Sequence, residues 1–180
     1  MAFIEPPRHL PWWLRLSLWY AERTAGGELL IGRLLAWYPK AALSSGVMES
    51  LIAHHEGRLA ERLLKLVRMQ VSYTAACPFC IALNGSEPER FGITPDEIAA
   101  LRGLRALEDV VTFTPLERVA LTYARRISQT PLSFPPEFVA TLRAHFTERE
   151  IVILAATAAQ VNYWTRLIQA LGAPPAGSAR

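Results

Sequence analysis

A chain of 180 residues with 51% hydrophobic and 19% charged residues is long enough for one domain with a sizeable core, which excludes a disordered protein. Nineteen basic and sixteen acidic residues are interspersed and give a net charge of +3, so no nucleic-acid-binding patch is predicted. No uncharged apolar stretch reaches the roughly 18 residues that span a bilayer, and the N-terminus lacks the pattern of a secretory signal.

The first predicted element is an amphipathic helix near the N-terminus. Its apolar face comprises Trp12, Trp13, Leu16, Trp19 and Tyr20. We expect this face to dock on the core or on another subunit; a membrane-surface helix is the alternative, although its polar face is not rich in lysine. A second helix is predicted from Glu28 to Tyr38, ending before Pro39, and a short helix or turn follows around Gly46.

The segment from about Gly57 to Ala75 is predicted to be a long amphipathic helix. Its apolar stripe consists of Leu59, Leu63, Leu64, Val67 and Val71. A polar line on another face consists of Glu61, Lys65, Arg68 and Ser72. Because a helix has 3.6 residues per turn, these four positions fall within an arc of about 60°. The polar line runs toward the two cysteines that follow.

Three later helix starts have a threonine N-cap and a glutamate at N3, the capping-box pattern. They are Thr94 with Glu97, Thr114 with Glu117, and Thr147 with Glu150. The first two also have proline at N1, where its missing N–H costs nothing. The last helix is expected to run from Thr147 to Leu171. The sequence thus predicts a single all-α domain of about seven to nine helices over residues 1–172, with a loose tail at 173–180.

The two cysteines, Cys77 and Cys80, form a Cys-x-x-Cys motif beside Pro78. With Pro78 at N1, Cys77 is the N-cap of a helix and Cys80 its N3 residue. The unpaired N–H groups at that helix end favour a thiolate, the reactive form of cysteine, and the spacing allows a disulfide to form and break. Two cysteines without a secretion signal are typical of the reducing cytoplasm, where such a pair is more often catalytic or metal-binding than structural.

Two other interpretations of the cysteine pair stay open. A zinc site needs about four ligands, and the histidines lack the spacing that would complete one, so no metal is expected. The histidines are His9, His54, His55 and His145. Alternatively, both cysteines are inert residues buried as small hydrophobic side chains. Redox chemistry is the preferred interpretation.

Four segments of the chain together resemble the carboxymuconolactone decarboxylase / alkylhydroperoxidase D (AhpD-like) family. They are CPFCIALNG, ITPDEIAAL, FTPLERVALTYARRISQTP and FTEREIVILAATAAQVNYWTRLIQALG. The resemblance covers about residues 43–172 and leaves 1–42 as additional N-terminal helices. It implies an all-α AhpD-like fold and a homo-oligomer, a dimer, trimer or hexamer. It also implies a cofactor-free antioxidant enzyme, a peroxidase or disulfide reductase, that acts on a hydroperoxide or disulfide and takes electrons from a thiol or lipoyl-type donor.

The family's redox motif places a glutamate twelve positions before the first cysteine and a histidine four positions after the second. Here those positions hold Lys65 and Asn84, which cannot relay a proton as glutamate and histidine do. We therefore expect a weakened peroxidase activity, since general acid–base help is worth about 10²–10⁴-fold. Glu61 is a candidate partner for Lys65, and His55 or its neighbour His54 is a candidate base.

The roles of the two cysteines depend on the argument used. The resemblance implies that Cys80 attacks the peroxide and that Cys77 resolves the product and meets the electron donor. The position at a helix start instead favours Cys77 as the thiol that ionises first. We follow the resemblance in assigning the roles.

Asn162 and Arg166 lie four residues apart on the last predicted helix. They either line a pocket that holds an anionic substrate or form a structural polar pair, and the structural interpretation is preferred. The alternative to a redox enzyme is a carboxymuconolactone-decarboxylase-like or other non-redox enzyme or binder on the same fold. A third class, an oligomeric scaffold, predicts that both cysteines can be replaced without consequence.

Overall fold

The computed structural model describes residues 2–25 and 27–175, so the end of the predicted loose tail, residues 176–180, lies outside the described residues. The described residues contain nine α-helices and no β-strand, which confirms the all-α prediction. The helices are α1 (Trp12–Ala25), α2 (Leu30–Leu34), α3 (Pro39–Ser50), α4 (Glu61–Thr74), α5 (Pro78–Asn84), α6 (Pro95–Leu101), α7 (Pro115–Ile127), α8 (Pro136–His145) and α9 (Glu148–Ala170). Short 3₁₀ turns lie at Leu35–Trp37 and Pro88–Phe91.

By its internal contacts the chain divides into two compact units. The first unit comprises Met1–Ile52 and Arg166–Arg180, within which the described residues include α1 to α3 and the end of α9. The second unit is Ala53–Thr165, which includes α4 to α8 and most of α9. A single domain over residues 1–172 stays a prediction.

Local sequence signals set where the helices start. Five helices begin with a proline at N1, namely Pro39, Pro78, Pro95, Pro115 and Pro136. All three predicted capping boxes are present. The N3 backbone N–H to threonine Oγ1 distances are 3.3 Å for Glu97 and Thr94, 3.1 Å for Glu117 and Thr114, and 3.3 Å for Glu150 and Thr147. Each box satisfies N–H groups that a helix start otherwise leaves unpaired.

Helix α4 is the central element of the second unit because it is buried on two sides. One side packs its predicted stripe against α7 and α9, and this core cluster includes Leu63, Leu64, Val67, Val71, Ala120, Ala124, Leu154, Ala158 and Val161. The other side packs Leu66 and Met69 against α6 and Phe113. Each fully buried leucine or valine contributes about 1.5–3 kcal/mol to stability, so α4 is held firmly at the position from which the cysteine motif follows.

The first unit differs from the sequence-based prediction at α1. Leu14 is buried, but the predicted docking face, defined by Trp12, Trp13, Leu16, Trp19 and Tyr20, is exposed. The exposure of this face speaks against the first half of the expectation, packing on the core, and the second half, docking on another subunit, stays a prediction. The second predicted helix is also shorter than expected, since α2 ends at Leu34 and continues only as a 3₁₀ turn.

Helix α9 has 23 residues, and its mean hydropathy reaches 1.2 over 18 residues, so by length and composition alone it meets the requirements for crossing a membrane. Three of its residues, Leu154, Ala158 and Val161, are buried in the core of the second unit. The core helices of soluble proteins meet the same requirements.

Candidate functional site

The chain reaches the cysteine motif through the C-terminal end of α4, which closes in a Schellman motif. The Cys77 N–H donates to the Ser72 carbonyl at 3.2 Å, and the Ala76 N–H donates to the Tyr73 carbonyl at 3.0 Å. Ala76 has φ of +48°, in the left-handed region where glycine is the usual residue. These bonds fix the backbone of Cys77 to the last turn of α4.

Cys77 and Pro78 start helix α5 as predicted, with Cys77 at the N-cap and Pro78 at N1. The Cys77 Sγ accepts the backbone N–H of Cys80 at 3.4 Å, and the two Sγ atoms are 2.9 Å apart. Neither cysteine is in a disulfide, and both are buried, with 0% of Cys77 and 2% of Cys80 exposed. The pair is therefore a preformed dithiol whose sulfurs are already in hydrogen-bonding contact.

The contact between the two sulfurs affects the acidity of Cys80. In the fully protonated pair, the Cys77 S–H donates to the Cys80 Sγ. The hydrogen bond between the two sulfurs raises the pKa of Cys80, and burial of the Cys80 thiol raises it further. Both effects favour the protonated form of Cys80.

Asn84, at the family's histidine position, bonds to α4. Its Nδ2 donates to the Ser72 Oγ at 3.0 Å, and the Ser72 hydroxyl donates to the Arg68 carbonyl at 2.8 Å. Ser72 thus holds the end of α5 through its hydroxyl and Cys77 through its carbonyl. Asn84 acts here as a structural donor that anchors the last turn of α5.

Lys65 and Glu61 lie nearer the start of α4. The Lys65 Nζ lies 5.0 Å from the centre of the Phe91 ring, a cation–π contact. Burial lowers the pKa of Lys65, and the nearby charge of Arg68 lowers it further, while the exposed Glu61 acts in the opposite direction. The expected pairing of Glu61 with Lys65 is therefore present only as an electrostatic influence.

The remaining predicted residues lie on other parts of the chain. His54 and His55 are exposed on the segment between α3 and α4. The Asn162 Nδ2 donates to the Ser128 Oγ at 3.1 Å and to the Ala158 carbonyl at 3.0 Å, so it ties α9 to the end of α7. The Arg166 side chain is exposed and belongs to the first unit. The hydrogen bonds of Asn162 favour its structural interpretation.

Ser72 and Ala76 are the residues of this site that the sequence analysis did not identify. Ser72 was assigned only to a polar line on α4. A glycine at position 76 would have predicted the Schellman motif, because glycine is the usual residue at its left-handed position, whereas alanine there does not predict it. Over residues 2–25 and 27–175, no group of three or more histidine, cysteine and carboxylate side chains is arranged to hold a metal ion.

Comparison with known proteins gives a distant sequence relative and close structural neighbours. No family model matches the chain. The uncharacterised protein YdfG of Bacillus subtilis (strain 168) is 29% identical over 109 residues, which cover 60% of this chain and 72% of that protein.

Two solved structures match nearly the whole chain. The alkylhydroperoxidase AhpD core of an uncharacterised peroxidase-related protein from Ralstonia eutropha JMP134 has a TM-score of 0.78 at 18% identity, over 97% of this chain and 92% of that one. The debrominase Bmp8, in a variant complexed with 2,3,4-tribromopyrrole, has a TM-score of 0.78 at 18% identity, over 96% of this chain and 90% of that one. At these identities the likeness shows the fold.

Proposed function

This chain has the AhpD-like fold, and on that premise we propose that it is a thiol oxidoreductase whose Cys77–Cys80 dithiol reduces an organic hydroperoxide. The observation that carries the proposal is the buried pair of reduced cysteines with their sulfurs 2.9 Å apart at the start of α5. A peroxidase-related protein among the structural neighbours supports it.

The reaction balances with the two thiols alone. One thiolate attacks the terminal peroxide oxygen, so an S–O bond forms, the O–O bond breaks, and the leaving alkoxide takes the proton released when the thiol ionised. The second thiol then displaces the hydroxyl group of the sulfenic acid as water, and a Cys77–Cys80 disulfide results. A thiol or lipoyl-type donor returns two electrons and two protons, in keeping with a cytoplasmic setting.

A second candidate reaction is reductive debromination, which the match to a debrominase favours. The same dithiol would take the bromine from carbon, a proton would replace it, and the second sulfur would displace bromide as the disulfide forms. Both reactions consume one dithiol per turnover, so one assay compares them.

We expect the purified protein, equilibrated in a dithiothreitol redox buffer, to show a reversible Cys77–Cys80 disulfide when its free thiols are counted by mass. Limiting cumene hydroperoxide should convert the dithiol to the disulfide stoichiometrically, faster than it oxidises the same concentration of free cysteine. The matched control is the double variant Cys77→Ser/Cys80→Ser.

Thiols that stay reduced with hydroperoxide would contradict the peroxidase proposal. Bromide released from 2,3,4-tribromopyrrole by such a preparation would transfer support to debromination. If both substrates leave the thiols reduced, a non-redox enzyme or a scaffold becomes the better account of this fold.

A further inference from the structure

We propose that Cys77 supplies the attacking thiolate and that Cys80 is the resolving thiol, because the Cys77 sulfur can receive both the backbone N–H and the S–H of Cys80. This assignment rests on the proposed function and deepens it. It reverses the roles that the family resemblance implies for these two residues.

The first step of the argument concerns the hydrogen bonds available to a negative charge on Cys77. The Cys80 backbone N–H lies 3.4 Å from the Cys77 Sγ, and its direction is fixed by the first turn of α5. The sulfur–sulfur bond of 2.9 Å has Cys77 as its donor in the protonated pair, and an ionised Cys77 can only accept, so the Cys80 S–H then becomes the donor to the same sulfur. Hydrogen bonds to the charged form favour that form, so two donors stabilise this thiolate. Helix α5 has only seven residues, so these direct bonds carry the argument, not the helix dipole.

The second step concerns the opposite assignment. Within the part of the chain that the structure describes, the Cys80 sulfur has one hydrogen-bond partner, the Cys77 sulfur. A charge on Cys80 would therefore be stabilised by a single donor, the Cys77 S–H. The backbone N–H of Cys80 would then lie against a neutral thiol and lose a charged acceptor. Ionisation at Cys77 is thus favoured over ionisation at Cys80.

The third step is the chemistry that follows. The Cys77 thiolate forms the S–O bond as the O–O bond of the hydroperoxide breaks, and the alkoxide leaves as the alcohol once protonated. Cys80, still carrying its proton, lies beside the new sulfenic acid. Its sulfur attacks the Cys77 sulfur, the hydroxyl group leaves with the Cys80 proton as water, and the disulfide forms.

Two single-cysteine variants test the assignment. Cys80→Ser leaves Cys77 with both hydrogen-bond donors, because serine keeps the backbone N–H and a hydroxyl, whereas Cys77→Ser leaves Cys80 with only the serine hydroxyl. The ultraviolet absorbance of the thiolate, followed against pH, should give Cys77 a midpoint at least about one pH unit below that of Cys80, a tenfold difference in acidity. The reverse order would overturn the proposal.

The unmodified protein provides a second measurement that does not depend on the variants folding. Limiting iodoacetamide at neutral pH, followed by peptide mass mapping, should label Cys77 in preference to Cys80. The assignment would be overturned if Cys80 is labelled in preference to Cys77 and the absorbance titration also gives Cys80 the lower midpoint pH.

Capture of the sulfenic acid with dimedone separates this assignment from the proposed function. After one equivalent of cumene hydroperoxide, Cys80→Ser should carry the adduct on Cys77, and Cys77→Ser should carry none. An adduct on Cys80 of Cys77→Ser, with none on Cys77 of Cys80→Ser, would overturn the assignment and leave the oxidoreductase standing. If neither variant reacts, the peroxidase proposal fails, and the absorbance titration still decides which sulfur ionises first.

Discussion

Ser72 bonds to both flanks of the dithiol. Its carbonyl accepts the Cys77 N–H, and its hydroxyl accepts the amide N–H of Asn84 at the end of α5. The positions of the two sulfurs therefore depend on the last turn of α4, which is itself fixed by its burial in the core of the second unit. At the scale of single residues, the two cysteines are held by neighbours that would take no part in the proposed redox chemistry.

Ala76 is the residue whose replacement tests this connection. Its Cβ is disfavoured at φ of +48°, and glycine adopts that conformation freely. We expect Ala76→Gly to raise the free energy of unfolding by about 0.5–1 kcal/mol, measured by urea denaturation and circular dichroism.

The neighbouring Ala75 is the matched control, since its φ of −81° is an ordinary right-handed helical value. Ala75→Gly should lower the free energy of unfolding by about 0.5–1 kcal/mol. Similar losses in both variants would show that the left-handed conformation at Ala76 contributes no strain.

At the scale of helices, two arginines, Arg58 just before α4 and Arg62 in its first turn, bind all three capping-box glutamates. The Arg62 guanidinium donates to Glu97 at 2.6 Å and to Glu117 at 2.8 Å. Arg58 donates to both carboxylate oxygens of Glu150, at 2.8 and 3.1 Å. The starts of α6, α7 and α9 are thus joined to the segment that begins α4.

Glu150 gives this arrangement a pH dependence. The hydrogen bond from Arg58, together with that from the Thr147 N–H, lowers the pKa of Glu150 from 4.5 to about 2. A lowered carboxyl pKa stabilises the folded state above the unfolded-state value, and that stabilisation is lost as the pH falls from 4.5 toward 2. We expect Glu150→Gln to cost about 1 kcal/mol at neutral pH, because glutamine keeps the cap but loses the ion pair. Urea denaturation of both proteins should show the difference shrinking across that acid range.

Glu148→Gln is the control for this experiment. It removes a charge from the same first turn of α9 but leaves the Arg58–Glu150 pair intact. Subtracting its effect removes the contribution of the helix dipole. If the two variants lose stability equally, the ion pair contributes nothing measurable.

The helix starts show which features of the fold could be predicted from sequence. Each capping box depends on residues three positions apart, so it could be predicted from the local pattern. The arginine partners could not, since Arg62 meets Glu97 and Glu117 across 35 and 55 residues. At the candidate site, Cys77 and Pro78 were placed correctly by local rules, whereas the bond from Asn84 to Ser72 spans two helices and required the structure.

At the scale of the whole molecule, the exposed face of α1 is the feature that the described chain does not cover. Its five side chains, from Trp12 to Tyr20, are between 36% and 76% exposed. An aromatic side chain can bury about 150–250 Å², so the face offers several hundred Å² toward the roughly 800 Å² per partner of a standard interface. The family resemblance implied a homo-oligomer, and we propose this face as part of its subunit contact.

We expect light scattering to show an oligomer for the natural protein and a smaller species for Trp19→Glu, because a charge at the centre of an apolar contact is costly to bury. The control is Val111→Glu, which places the same charge at a site on the second unit that is 90% exposed. It should leave the oligomer unchanged. A natural protein that is monomeric at all concentrations tested would contradict this assignment of the α1 face.

The contacts of Arg62 with Glu97 and Glu117 couple the starts of α6 and α7 during local unfolding of the second unit. One oxygen of Glu97 and one of Glu117 bind Arg62, while the other oxygen of each accepts the N–H of its own threonine cap, Thr94 or Thr114. Fraying at the start of α6 would leave Arg62 with half of its carboxylate partners and so weaken the start of α7. These two helix starts, far apart in the chain, therefore belong to one cooperative unit of local unfolding.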